Sequence, residues 1–175
     1  MKDERIKFTT TLIPLNVLNL NNRVYLDNEN LRENIENFNE RVKKLGVVYG
    51  EYGYPENGVL DTTLSKVSHT ISNVRIEDNK VIGDITIVGT RLGNLLKDNY
   101  ENMVFRPRSM GVVGEDRNVI LKKLFTFDAV PNTDDAFNME NIEIVKKRKD
   151  EENNVLYERV YSDIDPYGEE KWEKE

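Results

Sequence analysis

Two pairs of β-rich runs with short polar turns between them leave few folds open to this chain. Residues 64–76 and 80–89 are joined by the sequence EDNK, and residues 102–114 and 118–130 by GEDRN. Runs of β-branched and apolar residues that flank such turns predict β-hairpins. Hairpins at this spacing favour an α+β, mainly β fold, in which a small antiparallel, β-barrel-like sheet has its helices packed outside.

Two segments carry apolar residues at helical spacing and are predicted to be the helices. The first has an apolar stripe formed by Leu31, Ile35, Phe38, Val42 and Leu45. Either Asn28 or Asn30 can cap its first turn, and Gly46 stands where helices commonly end. The second segment spans residues 90–100, and Thr90 is its candidate cap.

A change of character near residue 138 predicts where the folded domain ends. Residues 1–138 contain the predicted helices and hairpins, with further β-rich sequence at residues 4–18, and fit one domain. Residues 139–175 contain the charge run KKRKDEENN and the acidic stretch YSDIDPYGEEKWEKE, with little periodicity. This tail is expected to be either a flexible, solvated segment or one that docks on a partner.

Composition argues against several classes of function. The chain has no cysteine and a single histidine, His69, which excludes disulfides, thiol nucleophiles and zinc sites that need several imidazoles. Its net charge of -7 argues against a general nucleic-acid binder, and no run is long and apolar enough to span a membrane. The first residues, MKDERIKFTTTLIPL, lack the apolar core of a secretion signal. We therefore expect protein partners in a reducing cytoplasm.

A serine and the single histidine are candidates for chemistry. Ser109 follows two arginines in FRPRSMGVVG, and it is either a polar residue on the solvent face of a strand or a nucleophile beside a site for negative charge. His69 shares a strand face with Val67 and Ile71, which fits a core histidine as well as a general base. A histidine near neutral pH can accept the proton of a serine hydroxyl and return it to a leaving amine.

Further residues fit the remaining roles of a serine hydrolase. Asp128 interrupts the apolar strand LFTFDAVPN, and it is either the carboxylate that orients the imidazole or a turn former at the strand end. The guanidinium groups of Arg106 and Arg108 are candidates for stabilising an oxyanion, as are the backbone amides around Met110 and Gly111.

Five segments occur in an order that resembles a known family. They are NLNNRVYLDNENLRENIENF, GEYGYPENG, KVSHTISNVRIEDNKVIGDITIVGTRLGNLLK, FRPRSMGVVG and LFTFDAVPNTDDAF, within residues 15–137. Together they resemble the prohead (head-maturation) serine proteases of tailed phages, especially the myovirus-type prohead core protease. That family is related in fold to the herpesvirus assembly protease, assemblin.

The resemblance implies a protease-like domain and a serine endopeptidase, with Ser109 as nucleophile, His69 as general base and Asp128 as third member. It implies cleavage of phage scaffold and major capsid proteins, and of the chain itself, during prohead maturation. That reaction would take place inside the assembling prohead in the host cytoplasm, without cofactor or metal. Retention in the virion and homo-oligomerisation are left open.

Departures from the family pattern leave other interpretations open. Family members read S-S-R-G around the nucleophile, whereas this chain has Arg108, Ser109, Met110 and Gly111, and Tyr54 stands where a histidine is common. The chain is therefore either an active protease or a catalytically inactive protein of the same fold that is retained in the capsid or assembly complex. A binding domain without a viral role is the third alternative.

Overall fold

The computed structural model describes residues 5–55, 61–138, 145–146, 155–159 and 161–162. The helices and strands are, in chain order, β1 (Lys7–Pro14), α1 (Glu29–Leu45), β2 (Tyr49–Glu51), β3 (Val67–Glu77), β4 (Lys80–Ile87), α2 (Arg91–Asn99), β5 (Met103–Val113), β6 (Val119–Pro131), β7 (Val145–Lys146), β8 (Val155–Tyr157) and β9 (Tyr161–Ser162). Within the described residues, the strands form one antiparallel sheet in the order β1-β4-β3-β2, a second in the order β6-β5-β8, and the pair β7-β9. The α+β, mainly β class is therefore confirmed.

Both predicted hairpins are confirmed. The β3–β4 turn places Asp78 and Asn79 at φ angles of 49° and 64°. Two successive positive φ values match the right-handed twist of the strands, and these two residue types tolerate them. In the β5–β6 turn, Arg117 has a φ of 71°, and the Gly114 N–H group donates to the Asn118 carbonyl at 2.9 Å.

The predicted helix caps are also confirmed. The Asn28 side chain accepts from an N–H group of the first turn of α1, and Gly46 ends that helix at a φ of 84°. A left-handed residue at this position favours glycine because it carries no Cβ. At α2, the Thr90 hydroxyl oxygen accepts the N–H group three residues later at 2.9 Å. Local sequence therefore sets the start of both helices and the end of α1.

Helix α1 covers the core from outside the strands. It packs against β3 and β6 and buries Leu31, Ile35 and Phe38. The Phe38 ring meets the Phe127 ring edge-on, with 5.5 Å between centroids. The predicted apolar stripe fades at the end of the helix, because Leu45 is 62% exposed.

The expected barrel-like closure is replaced by two separate sheets, and no closed barrel forms among the described residues. The sheets approach along two seams. At the first, β5 lies beside β1, and Arg106 Nη1 donates to the Thr11 carbonyl at 3.0 Å. At the second, Tyr52 forms a single bridge to Ala129 of β6. Strand β2 has only 3 residues, which is too short to extend a continuous ladder from β3 to β6.

Part of the predicted tail joins the second sheet. Strand β8 pairs antiparallel with β5 at Arg108, Ser109 and Met110. Most of residues 139–175, including Trp172, lies outside the described residues. The predicted domain boundary at residue 138 stays a prediction. Of the helices in the described ranges, neither has the length and apolar character that crossing a bilayer requires.

Candidate functional site

Arg108 is held between two carboxylates in the interior. Its Nε and Nη2 atoms donate to the two oxygens of Asp128, both at 2.9 Å, and Nη2 also donates to Glu51 Oε2 at 3.0 Å. All three side chains are fully buried. Burial alone would lower the pKa of Arg108, but the hydrogen bonds and charges of Asp128 and Glu51 raise it above its usual value. Arg108 therefore stays charged and its bidentate pairing occupies the Asp128 carboxylate.

His69 is fully buried and both of its ring nitrogens have partners. Nε2 lies 2.7 Å from the Phe127 carbonyl oxygen, and Nδ1 lies 2.8 Å from Ser68 Oγ. A carbonyl oxygen can only accept, so Nε2 carries the proton and Nδ1 accepts from the serine hydroxyl. Burial lowers the pKa of His69 to about 4, although its hydrogen bond to Phe127 partly opposes this. The ring is therefore neutral at pH 7.

Gly50 makes room for this histidine. A Cβ atom at residue 50 would lie 2.2 Å from both His69 Nε2 and the Phe127 carbonyl oxygen. Gly50 is also the direct partner of His69 in the β2–β3 pairing. The imidazole can therefore bridge from β3 to β6 only because residue 50 lacks a side chain.

Ser109 is fully buried on β5, and its hydroxyl has no hydrogen-bond partner among the described residues. Buried polar groups are nearly always bonded, so this hydroxyl is exceptional. Its neighbours across the two strand pairings are the apolar Leu124 and Leu156. Such surroundings explain why the hydroxyl has no acceptor.

The structure does not join Ser109, His69 and Asp128 through hydrogen bonds. The His69 ring contacts the Phe105 ring, with 4.8 Å between centroids. Ser109 lies four residues further along β5, which is about 13 Å at the usual rise of a strand. Asp128 bonds to Arg108 and to the Glu51 N–H group instead of the imidazole. The catalytic role of the three residues stays a prediction.

The candidates for oxyanion stabilisation are also engaged elsewhere. Arg106 makes a bidentate pair with Asp135, at 2.9 and 3.0 Å. Because side chains alternate along a strand, Arg106 and Arg108 lie on the face of β5 opposite Ser109. Met110 and Gly111 pair with β6, as Met110 also does with β8. Their role as oxyanion groups likewise stays a prediction.

Sequence reasoning missed the acidic partners of the two arginines. Glu51 and Asp135 are both buried, at 0% and 3% exposure. A signal was present, because each carboxylate stands next to apolar or aromatic residues, in VVYGEYGYP and NTDDAF. A carboxylate in such a setting needs a buried cation. Ser68 is a further residue that the sequence analysis did not single out, and its hydroxyl is the partner of His69 Nδ1. Within the described residues, no group of acidic side chains and histidine is arranged to hold a metal ion.

Comparison with known proteins identifies the fold. The sequence matches no protein-family model, and a comparison with curated proteins found no match. A solved structure, that of the bacteriophage T4 capsid assembly protease, gp21, is similar with a TM-score of 0.56 and 18% sequence identity. The similarity covers 71% of this chain and 80% of that chain. This chain has the fold of that protease. The relation to the herpesvirus protease stays a prediction.

Proposed function

We propose that this protein is a serine endopeptidase of phage prohead maturation, which cleaves scaffold and capsid proteins and its own chain. The observation that carries the proposal is the buried hydroxyl of Ser109, which has no hydrogen-bond partner among the described residues, on β5 of a fold similar to that of a capsid assembly protease. A buried hydroxyl without a partner costs stability, which favours a functional reason for keeping it. His69 is neutral at pH 7, as a general base must be, and the rearrangement described below must also raise its pKa from about 4 toward neutrality.

In the proposed reaction, Ser109 Oγ attacks the scissile carbonyl while His69 takes the hydroxyl proton. His69 then returns that proton to the leaving amine, and water releases the acyl group from Ser109 by the same exchange. Asp128 orients the imidazole, and the backbone amides of Met110 and Gly111 stabilise the oxyanion. Arg106 and Arg108, which lie on the face of β5 opposite Ser109, add to this only once the site has rearranged.

The arrangement described above corresponds to a resting state in this proposal. For catalysis, β5 moves relative to β3 and the His69 ring gives up its bonds to the Phe127 carbonyl and the Ser68 hydroxyl. The ring proton moves from Nε2 to Nδ1, where Asp128, released from Arg108, accepts it as a hydrogen bond, and the unprotonated Nε2 then accepts the proton of the Ser109 hydroxyl. The proposed partners are phage scaffold and major capsid proteins, and the proposed place of action is the assembling prohead in the host cytoplasm. The proposed reaction requires no cofactor. The Ser109 hydroxyl is the nucleophile of the first step and water is that of the second, and each supplies the proton that His69 transfers.

A second candidate function is a catalytically inactive protein of the same fold with a structural role in the capsid. It is favoured by the full engagement of the proposed catalytic groups, since Arg108 occupies Asp128 and both ring nitrogens of His69 are bonded. In that case Arg108 is a permanent part of the core.

Co-expression with the scaffold and major capsid proteins from the same phage tests the proposal. We expect shortened scaffold and capsid chains with the wild-type protein and only intact chains with Ser109→Ala or His69→Ala. Ser72→Ala is the matched control, because Ser72 lies on β3 on the face opposite His69 and should leave cleavage unchanged. Cleavage that survives both active-site substitutions contradicts the proposal. Intact capsid chains with the wild-type protein, found together with that protein in mature particles, favour the structural role.

A further inference from the structure

The carboxylate of Glu158 is fully buried in a pocket formed by residues from the other end of the chain. Its Oε1 atom lies 2.8 Å from Arg23 Nη1 and 2.6 Å from the Tyr25 hydroxyl. Its Oε2 atom accepts from Asn19 Nδ2 at 2.6 Å. The pocket residues are 7%, 2% and 3% exposed for Arg23, Tyr25 and Asn19 respectively. One cation and two neutral donors therefore match a single carboxylate, and we call these three residues the glutamate pocket.

The backbone around Glu158 is bound by side chains as well. The Tyr157 carbonyl accepts from Arg23 Nη1 at 3.1 Å and from Asn21 Nδ2 at 3.2 Å. The Glu158 N–H group donates to the Tyr54 hydroxyl at 3.1 Å. Side chains that bond to main-chain groups fix an extended backbone whatever its sequence, as in sites that bind peptides by strand addition.

Residues immediately before Glu158 extend the second sheet. Strand β8 pairs with β5 at Arg108, Ser109 and Met110, so it lies along the edge of the strand that carries Ser109. Its side chains are buried, and the Tyr157 ring packs on Tyr54 with 4.8 Å between centroids. Main-chain pairing, an aromatic contact and a carboxylate contact thus occur within one short extended segment.

We infer that the edge of β5 and the glutamate pocket together form a peptide-binding site that residues 155–159 occupy within their own chain. The ligand class is an extended peptide in which a glutamate follows an aromatic residue. Strand pairing supplies affinity that depends little on sequence, and the pocket selects the carboxylate because it offers a guanidinium, a hydroxyl and an amide. The inference concerns binding alone and goes beyond the proposed catalytic function, since it holds whether or not Ser109 acts as a nucleophile.

Peptide binding to a chain with a weakened internal segment tests the inference. In Glu158→Gln, the internal segment loses its charge in the pocket, so a labelled peptide with the sequence of residues 153–161 should bind the full-length variant. The same peptide with glutamine in place of the glutamate should bind about tenfold or more weakly, because it lacks the charge-assisted hydrogen bonds. Fluorescence anisotropy measures both affinities. Glu101→Gln makes the same chemical change at an exposed position and should bind the peptide no better than the wild-type chain.

Hydrogen exchange provides the second readout and does not depend on a variant that folds. Residues 155–159 are tethered to their own binding site. They therefore compete with the added peptide at an effective concentration in the millimolar range. We expect that the peptide, added above that concentration, increases the exchange of residues 155–159 in the wild-type chain and that the glutamine peptide does not. Equal affinity of the two peptides for Glu158→Gln, or no binding of either peptide to that variant, overturns the inference. So does an unchanged exchange rate of residues 155–159 in the wild-type chain at saturating peptide.

Discussion

At the scale of single residues, buried charge decides which groups are available for chemistry. Arg108 donates hydrogen bonds to both oxygens of Asp128 and to Oε2 of Glu51. The other oxygen of Glu51, Oε1, has no hydrogen-bond partner within the described part of the chain. Taking these charges out of water is costly, and only their mutual pairing offsets that cost. Asp128, which accepts from both Arg108 and the Glu51 N–H group, can therefore turn to the imidazole only if its pairing with Arg108 is rearranged.

Replacing Arg108 should therefore destabilise the fold strongly. We expect Arg108→Met to lower the free energy of unfolding by about 3–5 kcal/mol, because two buried carboxylates lose their cation. Urea unfolding followed by circular dichroism measures the change. The matched control is Arg91→Met, at an exposed position, which should change the free energy of unfolding by less than about 0.5 kcal/mol. A similar, small effect of both substitutions would refute the structural role of Arg108.

Stability should also depend on pH through His69. Its pKa is lowered to about 4 in the folded chain, against 6.5 for an exposed histidine. Below pH 6.5 the unfolded chain therefore binds a proton that the folded chain does not, and stability is lost until the pH reaches about 4. Between pH 7 and pH 4.5 we expect the wild-type chain to lose about 2–3 kcal/mol more than His69→Gln. Urea unfolding at both pH values tests this, and equal losses in the two proteins would contradict it.

At the scale of elements, the second seam depends on the short strand β2. His69 of β3 reaches across Gly50 to the Phe127 carbonyl, and the Glu51 N–H group donates to Asp128 Oδ1. The Thr126 hydroxyl donates to the Tyr49 carbonyl at 2.6 Å. Side chains thus join β3, β2 and β6 where a continuous ladder is lacking.

A methyl group at residue 50 should disrupt this seam. We expect Gly50→Ala to cost about 1–3 kcal/mol, because its Cβ would overlap with an imidazole nitrogen and a backbone carbonyl, and the carbonyl cannot rotate away. Gly89→Ala is the control, since a Cβ there meets nothing within 4 Å and should leave the free energy of unfolding nearly unchanged. Thermal unfolding of the two variants distinguishes them. Equal melting temperatures would show that the seam has more room than the structure indicates.

Hairpins and helix ends that depend on residues close in sequence could be predicted. Contacts between side chains that are far apart in sequence could not. The hairpins and helix caps follow from residues close in sequence, such as Asn79 and Asn28. The pairing of Arg108 with Asp128 does not follow even from the correct register, which places Asp128 directly opposite Arg106. Arg108 reaches Asp128 diagonally, whereas Arg106 turns to Asp135 on the segment that follows β6. Whether Ser109, His69 and Asp128 meet likewise depends on the distances between their strands. Those distances cannot be calculated from the spacing of the residues in the sequence.

At the scale of the whole molecule, the fold brings residues 19–25 together with residues 155–159, which lie next to the strand that carries Ser109. Asn19, Arg23 and Tyr25 bind Glu158, and β8 follows the edge of β5. The fold shared with a capsid assembly protease extends over 71% of this chain. In our account, the resting chain keeps its proposed nucleophile buried between sheet partners until the site is rearranged.

Covalent labelling of Ser109 tests the central proposal most directly. A fluorophosphonate reacts with an activated serine hydroxyl and gives a stable adduct whose position mass spectrometry identifies. In a mixture that contains scaffold and capsid proteins and in which they are being cleaved, we predict an adduct on Ser109 of the wild-type chain and none in His69→Ala. Continued cleavage without an adduct on Ser109, or with an adduct on another residue only, would contradict the account.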